Sequence, residues 1–415
     1  MPRIGHGKRT AQSRVRCHIP RASANDRLRE RPSAEWRPRK NGRMASVDLS
    51  PIEVIALDVA RADLHYVATS LIDLPSSAAA AEIALLQYGA MAAYEAQLHF
   101  AKALDWHLSA DWDADTAKAA RMSAKFFADG RRNLDGVVAH FDELLRANHG
   151  AFFPPDRRGR LFDFLREDLS VVSRDGNPYT SLVCAHYLTG LGPAEVGELA
   201  TVGPAIGRLS TGVGNVAGAL LEGSGIAWHD HGPIPHFDWL DGKSTVALPR
   251  LFAGELEPPL AAALMTVQCI SRSALHSRSR SLCAWCETAA RKHRFIALFQ
   301  SLTALEIMRR DGIHPPHSDE MMAFLEDPES EWILAQSKLR NGLVHLGFQD
   351  IASKLNPGST VDDAVRTYTE QNPEEVATRV ENHLARFVDL LTAWMLTPTA
   401  RGDSFLEALH AAPPD

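Results

Sequence analysis

The segment from Asn372 to Trp394 most constrains what this chain can fold into. Asn372 stands where a helix cap is needed, Pro373 at the first helical position, and Glu374 and Glu375 where acids meet the positive end of the helix dipole. Val376, Val380, Leu384, Phe387, Leu391 and Trp394 then recur every three or four residues. Only an α-helix puts that set on one face, and that face must be buried. The same grammar runs back through the C-terminal half. It predicts helices over about 258–275, over 281–310 (Phe295, Leu298, Leu302 and Leu305 on one face), over about 329–348, and a short one from Thr360 after the Pro357-Gly358 break. Four or five helices in 258–398 make a compact bundle.

The N-terminal half reads as helix too. One segment opens at Pro51 and runs to about Leu74. An Ala-rich helix follows Pro75-Ser76-Ser77 and reaches about Leu108, and another starts at Asp113 and Asp115 and ends at Gly150. Shorter helices are expected at 158–170, 180–189 and 193–222. Residues 223–257 are rich in Gly and Pro, with room for one short strand near Thr245–Leu248. The expected class is therefore all-α: a helical domain of unknown role over 44–222, a linker loop over 223–257, the helical bundle over 258–398 and a tail over 399–415.

Charge divides the chain unevenly. Residues 1–43 hold 13 Lys and Arg against three acids, a net of +10, which leaves −17 of the −7 total for residues 44–415. So acidic a body is not a general nucleic-acid glove, and RNA contact would need a local basic patch. The extension itself fits three descriptions: an upstream read-through with the start at Met44, which ranks first; a basic disordered arm; or an Arg-rich targeting peptide. No apolar run reaches membrane-spanning length, and five cysteines in a long chain argue against a disulfide scaffold, so a cytoplasmic location is expected.

One helix carries chemistry. Arg340, Asn341 and His345 interrupt an aliphatic segment in which Ala335, Leu339, Leu343 and Leu346 share the core face. Arg forks two hydrogen bonds onto a phosphate, and His moves a proton near neutral pH. Together they can cut a phosphodiester without a metal. Arg340 and His345 lie five residues apart, about 140° around an ideal helix. Meeting on one phosphate requires a bend, for instance at Gly342, or a second copy of the helix in a symmetric dimer.

Arg, Asn and His at this spacing on a late helix of a small bundle resemble the HEPN (higher eukaryote and prokaryote nucleotide-binding) superfamily, over about residues 258–398. The resemblance implies metal-independent endoribonuclease activity without a cofactor, with products ending in a 2′,3′-cyclic phosphate. It gives His345 the role of general acid or base, Arg340 that of phosphate anchor and Asn341 that of orienting group. It also implies a homodimer and a place among toxins or phage-defence and stress effectors, with a protein partner or antitoxin held through the N-terminal region. Lys338 and the basic stretch containing Arg291, Lys292 and Arg294 are the candidate RNA track.

Two other classes stay open: a non-catalytic helical scaffold or nucleotide-binding module, and a metal-dependent hydrolase built on His229, His231, His236 and Asp238. The Cys283-x-x-Cys286 pair, flanked by His276 and His293, lies in an apparent helix and matches no common zinc spacing.

Overall fold

The computed structural model describes residues 39–40, 43–44, 49–72, 79–106, 118, 134–153, 166–174, 177–221, 237–277, 284–400 and 402. Fourteen α-helices appear among them. They are α1 (Pro51–Ile72), α2 (Ala79–Leu104), α3 (Leu134–Phe152), α4 (Leu182–Leu188), α5 (Pro193–Gly197), α6 (Leu199–Leu221) and α7 (Ser244–Ala247). The second half adds α8 (Pro258–His276), α9 (Ala284–Arg310), α10 (Asp319–Leu325), α11 (Pro328–Ala335), α12 (Ser337–His345), α13 (Val361–Thr369) and α14 (Pro373–Met395). A two-residue ladder joins β1 (Arg39–Lys40) to β2 (Arg43–Met44). One small antiparallel sheet has β3 (Leu169–Arg174) between β4 (Asn177–Ser181) and β5 (Phe237–Gly242). The fold is thus mostly helical, as expected, and no helix among the described residues is long and apolar enough to cross a membrane.

Helix α8 is the axis of the core. Every residue from Leu260 to Ala274 is buried, so this helix has no solvent face. Its hydroxyls are satisfied locally: Thr266 donates to the Ala262 carbonyl at 2.9 Å and Ser271 to the Val267 carbonyl at 2.8 Å. Helices α2, α3, α9 and α14 pack around it. The α14 cap forms as its sequence dictates, with Asn372 Oδ1 accepting from the Glu374 N–H at 3.0 Å. Thr360 and Asp363 close a capping box at the start of α13.

Helix α1 lies against both α2 and α9, and residues 37–415 form one compact unit. The 44–222 and 258–398 segments therefore share a core instead of standing as separate lobes. The reason is visible in α1, whose Ile55, Val59, Leu64 and Val67 are buried along with Asp63.

The sheet departs from the expected pattern. The strand foreseen at Thr245–Leu248 is the helical turn α7, and the strand lies upstream at Phe237–Gly242. Asp168, buried at the foot of β3, fixes this boundary by accepting from both the Ser244 N–H and the Ser244 hydroxyl at 2.7 Å. The helix foreseen over 158–170 is replaced at its end by β3, and residues 158–165 lie outside the described set.

Candidate functional site

The helix expected over 329–348 is two helices. Gln336 leaves helical geometry (φ −81°, ψ 34°), ending α11 and starting α12 at Ser337. Leu339, Leu343 and Leu346 are buried as the spacing required, whereas Ala335 is exposed. Gly342 lets α12 approach its neighbours closely: a Cβ there would stand 3.2 Å from the Tyr368 hydroxyl and 3.3 Å from the Phe348 ring. The helix stops at Leu346, whose φ of +55° is held by burial of its side chain. Residues Ser337–His345 form one continuous helix with Gly342 inside it, and five residues on an ideal helix correspond to about 140° of rotation between Arg340 and His345.

Arg340 is buried, with 8% of its surface exposed, and its Nη1 donates to Asn341 Oδ1 at 3.0 Å. Asn341 and Lys338 are exposed. His345 has 31% of its side chain exposed and places Nδ1 2.9 Å from Oε2 of Glu95, whose own side chain is 6% exposed. Glu95 comes from α2, which packs directly on α12. A buried carboxylate on Nδ1 fixes ring orientation and tautomer. With Nδ1–H donated to Glu95, Nε2 is left as the nitrogen that can accept a hydrogen bond or a proton. Glu95 is the residue that sequence reasoning missed. Its signal was the lone acid in the largely apolar stretch Met91–Phe100.

The expected RNA track does not form as a surface. Lys292 lies in the interior, ion-paired with Asp63 of α1. Arg294 is buried and donates to Glu381 at 3.1 Å. Arg291 is bound to both Glu287 (3.1 Å) and Glu374 (2.8 Å). The helix α9 puts these cations against α1 and α14, where each meets an acid, so only Lys338 remains an exposed cation of the expected set.

The Asp63–Lys292 pair is the most deeply buried charge cluster of this region. Tyr88 Oη donates to Asp63 Oδ1 at 2.8 Å. Burial raises the Asp63 carboxyl above its usual range despite the opposing Lys292 charge. Beside it His293 stacks on Tyr88 with ring centroids 4.2 Å apart, and burial, aided by Arg294 and Lys292, pushes its pKa down to about 3.

Of the rival metal-site residues, His229, His231 and His236 lie outside the described residues. Asp238 is exposed on β5, opposite Ser173. Cys286 is buried with its Sγ 3.2 Å from His65 Nδ1, and Cys283 is outside the described residues. Among the described residues no group of three or more metal-capable side chains converges. No family model matches this chain, and neither a curated protein nor a solved structure matches it significantly.

Proposed function

We propose that the chain is a metal-independent, cytoplasmic endoribonuclease of HEPN type in which His345, oriented by Glu95, moves the proton. The observation that carries this reading is the imidazole of His345 seated by Nδ1 on a buried carboxylate while part of the ring stays exposed. That arrangement is what a general acid or base at neutral pH requires. In the reaction a ribose 2′-hydroxyl loses its proton to a base and attacks the adjacent phosphorus. The O2′–P bond forms, the P–O5′ bond breaks, and the departing O5′ takes a proton, leaving a 2′,3′-cyclic phosphate. His345 serves one of these two proton transfers. Because Arg340 and His345 point about 140° apart on an unbroken helix, the phosphate anchor for one His345 is assigned to Arg340 of a second copy, in a homodimer.

Burial of Arg340 against Asn341 favours a second reading, a non-catalytic helical module in which α12 is a strut. Purified protein incubated with mixed RNA in EDTA separates the two. The nuclease reading expects cleavage that His345→Ala and Arg340→Ala each reduce at least a hundredfold, with folding and oligomeric state kept. Absence of cleavage by the wild type, or cleavage indifferent to both changes, leaves the module.

A further inference from the structure

His65 and Thr69 lie one turn apart on α1, which packs against α9. From α9 the Cys286 Sγ stands 3.2 Å from His65 Nδ1 and 3.7 Å from Thr69 Oγ1. The Thr69 hydroxyl directs its proton to the backbone, donating to the His65 and Tyr66 carbonyls at 2.8 and 3.1 Å. Its oxygen therefore faces the sulfur as a weak acceptor, and the imidazole is the stronger base of the two neighbours. Burial holds His65 below its usual pKa, so the ring is neutral near pH 7 and one nitrogen carries a lone pair.

A thiol becomes a nucleophile by losing its proton, and a base within hydrogen-bond reach provides for that. Cys286 is also the third residue of the long helix α9, in the turn where the dipole favours negative charge on sulfur. The thiol is enclosed, at 1% exposure, but the preceding Trp285 is 37% exposed and meets the His65 ring edge-on at 6.1 Å. The pair thus sits beneath a surface side chain, where a small local opening admits a molecule little larger than water and excludes a bulky one. Cys184 is enclosed too, but its thiol has Cys269, Thr180 and Thr266 as partners among the described residues, in place of an imidazole.

We infer that Cys286, with His65 as its base, is a site of oxidation by hydrogen peroxide. His65 Nδ1 takes the thiol proton, and Sγ attacks one peroxide oxygen. The S–O bond forms and the O–O bond breaks. Sulfur is oxidised by two electrons to a sulfenic acid, and the departing hydroxide takes the proton from His65 and leaves as water. The inference stands apart from the ribonuclease reading, since it uses neither Arg340 nor His345.

The reduced full chain can be exposed to hydrogen peroxide, quenched with catalase, and unfolded in urea containing dimedone and iodoacetamide. Tandem mass spectrometry then reads the dimedone-labelled fraction at each cysteine. Cys286 should acquire label about tenfold or more faster than Cys184 and Cys269, the gain expected from a positioned base. His65→Phe should remove that advantage with an unchanged circular dichroism spectrum, and His65→Asn serves as the second variant should the first fail to fold. Labelling of Cys286 no faster than that of the two interior cysteines, or a Cys286 rate untouched by loss of the imidazole, would each overturn the inference.

Discussion

Removing Lys292 tests how the two halves of the chain are held together. Lys292 on α9 and Asp63 on α1 are both almost fully enclosed, and Tyr88 on α2 completes the cluster. Lys292→Met keeps the stem volume but leaves a buried carboxylate with one hydroxyl partner. Breaking one side of such a pair costs about 3–5 kcal/mol, whereas replacing both charges is often close to neutral. Unfolding a compact unit of about 380 residues carries an entropy of about 0.8 kcal/mol/K, so the single change should lower Tm by about 4–6 °C. Asp63→Asn/Lys292→Met should recover most of that loss. The pH response has a definite sign. Without Lys292 the Asp63 carboxyl, already raised by burial, rises further above its unfolded value. The native state then holds a proton that the unfolded state releases, so the variant's deficit grows as pH rises from about 4 toward neutrality. Denaturant melts of wild type, both single variants and the double variant at pH 5 and pH 7 give the full cycle. A Lys292→Met protein within about 1 kcal/mol of wild type at pH 7, a value well below the usual cost of an orphaned buried charge, would refute the argument. So would a double variant as unstable as the sum of the singles.

Three further outcomes follow from the described geometry. His186 is enclosed on α4 with neither ring nitrogen hydrogen-bonded, and burial lowers its pKa to about 4. Stability tied to it is complete above the unfolded value of about 6.5 and falls as pH drops through the folded value, by about 3 kcal/mol in all. His186→Leu should flatten urea-melt stability between pH 6.5 and 4, and an unchanged slope would contradict the assignment. Gly342→Ala should cost about 1–3 kcal/mol by overpacking, because the new methyl meets Tyr368 and Phe348; a neutral result would mean that α12 has room to move. Asn372→Ala should cost about 1 kcal/mol through loss of the α14 cap, and thermal melts that do not shift would show the cap to be redundant.

Much of the helical framework was legible because its signals are local. The α14 cap, the Pro51 start of α1 and the break at Pro357 each depend on residues within a turn of one another. The sheet was not legible in the same way. Its β3–β4 pair flanks Asp175-Gly176, a dipeptide that favours tight hairpin turns, but β5 joins from more than sixty residues away. The break at Gln336 carries no Gly or Pro and depends on how α11 and α12 each meet the core. At the candidate site, Arg340, Asn341 and His345 could be picked out by type and spacing. Their environment could not, since Glu95 reaches His345 across 250 positions. The cations on α9 misled for a related reason: their counter-ions Asp63, Glu374 and Glu381 are distant in sequence, so a paired, largely interior row reads like a basic surface. Asp63 and Glu95 did leave one trace, a single acid set into a largely apolar stretch of helix, answered in one case by the buried Lys292 cation and in the other by the partly exposed His345 imidazole.

The proton-transfer role proposed for His345 is tested most directly by the chemistry of the RNA ends that cleavage would leave. Wild-type protein incubated with a defined RNA in EDTA should yield fragments ending in a 2′,3′-cyclic phosphate. Glu95→Gln should slow their formation and shift its pH dependence, and His345→Ala should abolish it. Fragments bearing 3′-hydroxyl ends, or cyclic-phosphate ends formed equally well by the His345→Ala protein, would contradict the account.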